Sequence, residues 1–283
     1  MPKFPCYPIN TTLALFGFFV ALFSAGIGIG GGTILVSVLM SLFGFDFKEA
    51  SSTSLSTIIP IGFVGSLSYF IFLPEILHLK YYFVFIPSCL MGTILGGRIV
   101  QKRQNGWLKF VFSVFLLIIG LRMLKIYDFP FLIYSGLHGM FFTNEWVLML
   151  PVGILIGTIA VLLGIGCGLL IVPFFVIVIN FNIHEAIALS LTTIFFLSLS
   201  ATIVHNRLKT LNISSVNSLF IPALIGAVVG VILSSHLPGP ILKKLFGLFL
   251  LIMACNYMIS GLLFQYRKTV SVKNYVKGVK RTL

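Results

Sequence analysis

The sequence predicts an all-α, polytopic membrane protein of two homologous halves, each with four apolar segments, and three observations carry that prediction. Of 283 residues, 58% are hydrophobic and 9% charged, where a soluble domain has about a quarter charged. The apolar residues gather in runs long enough to cross the roughly 30 Å hydrocarbon layer as helices. Residues 28–58 and 164–194 align without a gap, with 12 identities in 31 pairs. These include Gly28/Gly164, Gly30/Gly166, Gly32/Gly168, Glu49/Glu185, Ala50/Ala186, Ser54/Ser190 and Thr57/Thr193, which shared hydrophobicity alone would not bring into register.

The first segment, 11–44, is too long for one straight span: 34 residues of helix would reach about 50 Å at 1.5 Å per residue. It carries five glycines within AGIGIGGGTIL at 25–35, and each glycine weakens a helix by about 1 kcal/mol relative to alanine. The segment is therefore expected to break there into two short pieces. Lys3 precedes it, but its length and its internal copy argue for a retained element over a cleaved signal. A second segment at 49–73 bends near Pro60. The third, 80–100, carries Gly92-xxx-Gly96, a spacing that lets two helices approach closely, and the fourth, 107–126, opens on Trp107 at the expected interface.

The polar interruption at 128–145 divides the first repeat, 1–127, from the second, 146–264. The second repeat restates the pattern: an overlong run at 146–179 broken at GIGCGLLIVP (164–173), then 184–205, 216–235 with Gly226-xxx-Gly230, and 241–264. LKFVFSVFLLI at 108–118 pairs with LKKLFGLFLLI at 242–252, so the duplication covers most of the chain. Residues 265–283 form a basic tail without apolar periodicity, suited to anionic lipid and not to nucleic acid.

Charge bears on how the halves are related. If each broken segment crosses once, the 19 Lys and Arg divide 12 to 7. If each turns back at its glycines, 14 fall on one side and only Lys80, Arg122, Lys125, Lys243 and Lys244 on the other. The positive-inside rule then favours re-entrant first segments, three full spans per half, inverted repeats and both termini in the cytoplasm.

Backbone without helical hydrogen bonds survives at membrane depth only inside protein or along a wet cavity. Two matching glycine breaks thus predict a shared cavity, with helix N-termini directing free N–H groups and positive dipole ends at an anion. The candidate binding residues are Gly28, Gly30, Gly31, Gly32, Gly164, Gly166, Cys167 and Gly168, with Thr53, Ser54, Thr57, Ser190 and Thr193 completing the shell. Hydroxyls donate to an oxyanion without a buried cation. The competing reading is tight helix packing for the glycines and bonding to the carbonyl four residues back for the hydroxyls.

All six acids fall at or near segment ends, whereas a cation pathway places a carboxylate among the helices. Glu49 and Glu185 suit helix N-terminal caps. His184 and His205 sit singly near span ends. Enzymatic classes find no support, since there is no mid-span aspartate pair, no GxSxG and no Walker A string. Cys6, Cys89, Cys167 and Cys255 show no metal-ligand spacing, so no cofactor and no metal is expected.

AGIGIGGGTILV followed by FKEASSTSLSTI, repeated as GIGCGLLIVP followed by IHEAIALSLTTI, resembles the sulfite exporter TauE/SafE family of membrane transporters. The resemblance covers roughly residues 11–264 and implies a multi-pass cell-membrane protein that moves sulfite or organosulfonates, mostly outward and without ATP. The partners it implies are a small anionic substrate and the lipid bilayer, with a coupling proton or ion. Ser37 and Leu189 depart from the family's proline and threonine, which Pro173 and Thr53 match, and Cys167 replaces a glycine. The alternative is an anion-binding membrane sensor or scaffold that does not transport.

Overall fold

The computed structural model describes residues 11–73, 79–100, 106–124, 145–163, 167–207 and 212–279. Gly164, Gly166 and all of the expected connection at 128–145 except Glu145 lie outside them. Regular structure in the described residues is entirely helical: α1 (Thr11–Ile27), α2 (Gly32–Leu42), α3 (Phe47–Phe72), α4 (Leu79–Val100), α5 (Gly106–Met123), α6 (Glu145–Leu163), α7 (Gly168–Ile177), α8 (Ile183–Arg207), α9 (Ile213–Ser235) and α10 (Gly239–Val279). Five, within α3, α4, α8, α9 and α10, are long and apolar enough to cross a membrane. Large apolar side chains such as Phe19, Phe83, Ile94, Ile221 and Leu233 face outward, while Ser52, Thr53, Ser54, Thr57, Ser190 and Thr193 are buried. That distribution suits lipid outside and a hydrogen-bonding interior.

The chain forms two compact units that cut across the two sequence halves. One contains α1–α4 and α6–α9, the other α5 and nearly all of α10. In the first unit α1 and α2 form a fold-back. The ring of Phe16, early in α1, meets that of Phe43, just past α2, at 6.5 Å between centroids. Leu13 and Val20 of α1 share a buried cluster with Leu35 and Leu39 of α2 and with Phe45, Ala50 and Leu219. The 11 residues of α2 measure about 16 Å, roughly half of a hydrocarbon layer.

The remaining helices of this unit interlock through small residues. A Cβ on Gly226 or Gly230 of α9 would lie 2.3 or 2.2 Å from the carbonyl oxygen of Phe18 or Leu22 on α1. On Gly92 of α4 it would lie 2.2 Å from the carbonyl oxygen of Ile154 on α6, and on Gly157 of α6 the same distance from that of Cys89. Thr158 donates its hydroxyl to the Gly92 carbonyl at 3.0 Å. Both expected Gly-xxx-Gly faces therefore bring backbones together. Each pairs a helix of one half with a helix of the other.

α3 and α8, which are equivalent in the repeat, cross with residue numbers running in opposite senses. Gly65 packs on Leu191, Gly62 on Phe195, and Ser56 donates to Thr202 at 3.4 Å, so the two helices are antiparallel. In the other unit α5 and α10 do the same, with Gly120 on Gly247 and the rings of Phe112 and Tyr257 5.8 Å apart. α10 runs on to Val279, past the span end expected at 264. No proline or glycine interrupts 262–277, so nothing in the backbone stops the helix.

Gly230→Ala should destabilise the protein by about 1–3 kcal/mol despite alanine's helix preference, because the methyl group meets backbone and cannot be accommodated by a rotamer change. Gly239→Ala, whose Cβ would find Ile183 at an ordinary 3.5 Å, should stay within about 0.5 kcal/mol. Denaturation midpoints of the two micelle-solubilised variants test the contrast.

Candidate functional site

The site is built around the end of α1. Two successive N–H groups, of Gly28 and Ile29, donate to the Ser24 carbonyl at 2.8 and 3.0 Å, which closes the helix. The chain then turns through Gly28, Gly30 and Gly31 with φ of 80°, 79° and 70°, the left-handed region where a Cβ is costly. α2 starts at Gly32, and its first closed bond is from the Leu35 N–H to the Gly31 carbonyl at 2.9 Å. Among the described residues no carbonyl accepts from the N–H groups of Gly30, Gly31, Gly32, Thr33 or Ile34. These free donors lie at the positive end of α2.

The second break meets the first. A Cβ on Gly168, the first residue of α7, would lie 2.5 Å from the Gly28 carbonyl oxygen and 2.7 Å from that of Ile29. The first break is also wedged against α8: a Cβ on Gly28 would meet Ile187 and one on Gly30 would meet Ile194, both within 3 Å. Where the sequence predicts a cavity, the described residues around Gly28, Gly30 and Gly168 leave no room for a methyl group. Cys167 is buried beside Gly168 with φ of −59°, so it occupies ordinary helical backbone where the equivalent Gly31 is left-handed.

The shell hydroxyls divide by partner. Ser190 donates to the Gly28 carbonyl at 2.7 Å and Ser54 to the Gly32 carbonyl at 3.2 Å; the two serines in register between the halves brace the same break. Thr57 and Thr193 bond to the carbonyls of Thr53 and Leu189, four residues back in their own helices, at 2.9 and 2.8 Å. Their protons are engaged as the packing alternative anticipates. Thr53 is different, since its buried hydroxyl has no partner.

Two residues at the break escape sequence reasoning. Ser24 and Thr33 are buried with unpartnered hydroxyls, and the Ser24 Oγ lies where a Cβ on Gly31 would go. An orphaned buried hydroxyl costs about 1–3 kcal/mol, so this pair, flanking one break, is an energetic anomaly. The signal that would find them is position, nine residues apart from the last α1 turn to the first α2 turn and either side of the glycines.

Glu185 caps α8 as expected: its carboxylate accepts from the Asn182 backbone N–H at 3.1 Å and from the Asn182 side chain at 3.2 Å. Glu49 has another role, accepting from the side chain of Asn212 at the start of α9 at 2.9 Å. A further polar cluster joins the C-terminal ends of α3 and α9 to the start of α8. There the Tyr69 hydroxyl pairs with Ser234 at 2.5 Å, and its ring lies 6.4 Å from that of His184.

A family model for sulfite exporter TauE/SafE matches residues 4–123 and 149–281, which include both breaks and both bracing serines. The chain belongs to the sulfite exporter TauE/SafE family. A stretch of 107 residues is 32% identical to "Probable membrane transporter protein YunE" of Bacillus subtilis (strain 168) and spans 38% of each chain. No solved structure matches significantly. TauE/SafE membership and the five candidate spans make this a multi-pass membrane protein.

Ser190→Ala leaves the Gly28 carbonyl without its donor and should cost about 1–3 kcal/mol. Thr193→Val, which removes only a bond to an already helical carbonyl, should cost less. Their unfolding midpoints in detergent, measured side by side, decide whether the serine braces the break.

Proposed function

We propose that the protein is a secondary transporter that carries small sulfur-containing oxyanions, sulfite or organosulfonates, outward across the cell membrane, with a proton or ion as coupling partner. The observation that carries the reading is the meeting of the two glycine breaks, with Gly168 against the carbonyls of Gly28 and Ile29. Discontinuous helices that meet between two repeats are how many secondary transporters form a substrate site. The antiparallel crossing of α3 and α8 supports an inverted repeat, because equivalent spans of inverted halves traverse the bilayer in opposite directions. With re-entrant first segments, that arrangement leaves both termini in the cytoplasm. The tight packing around Gly28 and Gly30 fits an occluded state that opens by movement of one half against the other.

The family's description as a sulfite exporter supports this substrate class, and the chemistry of the break agrees with it: free N–H groups and hydroxyls at a helix N-terminus suit an oxyanion. Nothing in this reading requires a reaction at the site, and we assign no catalytic residue. The alternative, an anion-binding membrane sensor, shares the site and differs in having no flux.

Purified protein in proteoliposomes should carry sulfite or a sulfonate down an imposed gradient. Gly30→Leu should insert and purify but lose more than about nine-tenths of the flux, since a side chain at φ 79° also collides with Ile194 at 2.9 Å. Radiotracer efflux measures this. Wild-type binding without flux would select the sensor, and unchanged flux in Gly30→Leu would remove the break from the pathway.

A further inference from the structure

We propose that the oxyanion is held at a single, asymmetric subsite, built by the first half alone from the N-terminus of α2 with the Ser24 and Thr33 hydroxyls, and that this subsite takes singly charged oxyanions. The proposal deepens the transporter reading but rests on it only in calling the ligand a substrate.

Three features converge there. The first turn of α2 carries N–H groups at Gly32, Thr33 and Ile34 that no described carbonyl accepts from. Ser24 is fully buried and its unpartnered Oγ abuts Gly31, one residue before the helix starts. Thr33, in that same first turn, is 5% exposed with its hydroxyl also unpartnered. A helix end alone is common, but buried hydroxyls that no other described residue uses, adjoining that end, mark a ligand's place. Thr53, the third orphan, adjoins Ser54, which ties α3 to the Gly32 carbonyl.

The second half lacks every one of these hydroxyls. At the repeat offset of 136 residues, Ser24 corresponds to Ala160, Thr33 to Leu169 and Thr53 to Leu189, all three buried. Cys167 stands for Gly31 and takes a helical φ of −59°, so the left-handed conformation of Gly31 is not reproduced at that position. The residues that do recur are those that bond backbone, Ser54 and Ser190. Duplication has therefore preserved the brace in both halves and kept the ligand donors in one.

Charge sets the selectivity. Among the described side chains, those of α1, α2, α3, α7 and α8 include no Lys or Arg. Among the described residues an anion there is balanced by N–H and O–H dipoles, which suffice for one negative charge and leave a second uncompensated in a buried site.

The test uses the full chain in detergent, titrated calorimetrically with methanesulfonate and with sulfate at equal ionic strength. Methanesulfonate should bind once per chain and more tightly than sulfate. Ser24→Ala and Thr33→Val should each weaken it about tenfold, as loss of one hydrogen bond to a charged ligand does, without lowering the melting temperature of the ligand-free protein. Leu169→Met, at the position equivalent to Thr33, should keep affinity within about twofold. Two equivalents bound per chain, or wild-type affinity in Ser24→Ala and Thr33→Val, would overturn the proposal. So would a lowered ligand-free melting temperature with affinity intact, which would make the hydroxyls structural. Flux of methanesulfonate in proteoliposomes separates the two readings. Binding with these variant effects but no flux removes transport and keeps the subsite. Wild-type flux in both variants removes the subsite and keeps transport.

Discussion

A helix can be broken at membrane depth only if protein supplies the hydrogen bonds that lipid cannot, and the organisation around Gly28–Gly32 follows from that requirement. The Ser24 carbonyl takes the two N–H groups that follow α1, Ser190 reaches from α8 to the Gly28 carbonyl, and Ser54 reaches from α3 to the Gly32 carbonyl. Neutral hydroxyls do this without bringing a charge into the interior. Because one brace comes from each half, the break is secure only when the halves are together.

The parts of this arrangement that sequence made legible are those expressed as repetition. The glycine clusters, Ser54 with Ser190 and the two Gly-xxx-Gly faces each occur twice, and each marks a place where backbone approaches backbone or is bonded by a side chain. Glu185 was legible from local rules alone, as a carboxylate three residues after Asn182 at a helix start. Ser24 and Thr33 were not, since their counterparts are Ala160 and Leu169 and neither lies in the hydroxyl-rich run at 51–57 that follows the break. Nor could composition separate a hydroxyl that bonds its own helix, as in Thr57, from one left without a partner, as in Thr53; that depends on rotamer and on what lies opposite. The extension of α10 was hidden by the polar character of its last turns, which says where a helix lies relative to lipid but not where it ends.

Symmetry of architecture and asymmetry of chemistry thus coexist in one molecule. Helix crossings, close-packed glycines and serine braces are shared between the halves because both must satisfy the same packing and hydrogen-bonding constraints. A ligand at the junction of two such halves is not itself symmetric, and only one set of donors is needed to hold it. The other half is then free to fill the equivalent positions with Leu169 and Leu189, which strengthen the core.

The exchange of helices between halves also bears on how the protein is made. α1 finds its close partner in α9 and α4 finds its own in α6, so when the first half leaves the ribosome neither Gly26 and its neighbours nor Gly92 and Gly96 have anything to pack against. In the bilayer α4 must wait for α6, and α1 must wait longer, for α9, which ends at Ser235. Closure of α1 on α9 is consequently a late event, and a truncation after the first repeat would leave spans with bare small-residue faces for quality-control proteases to recognise.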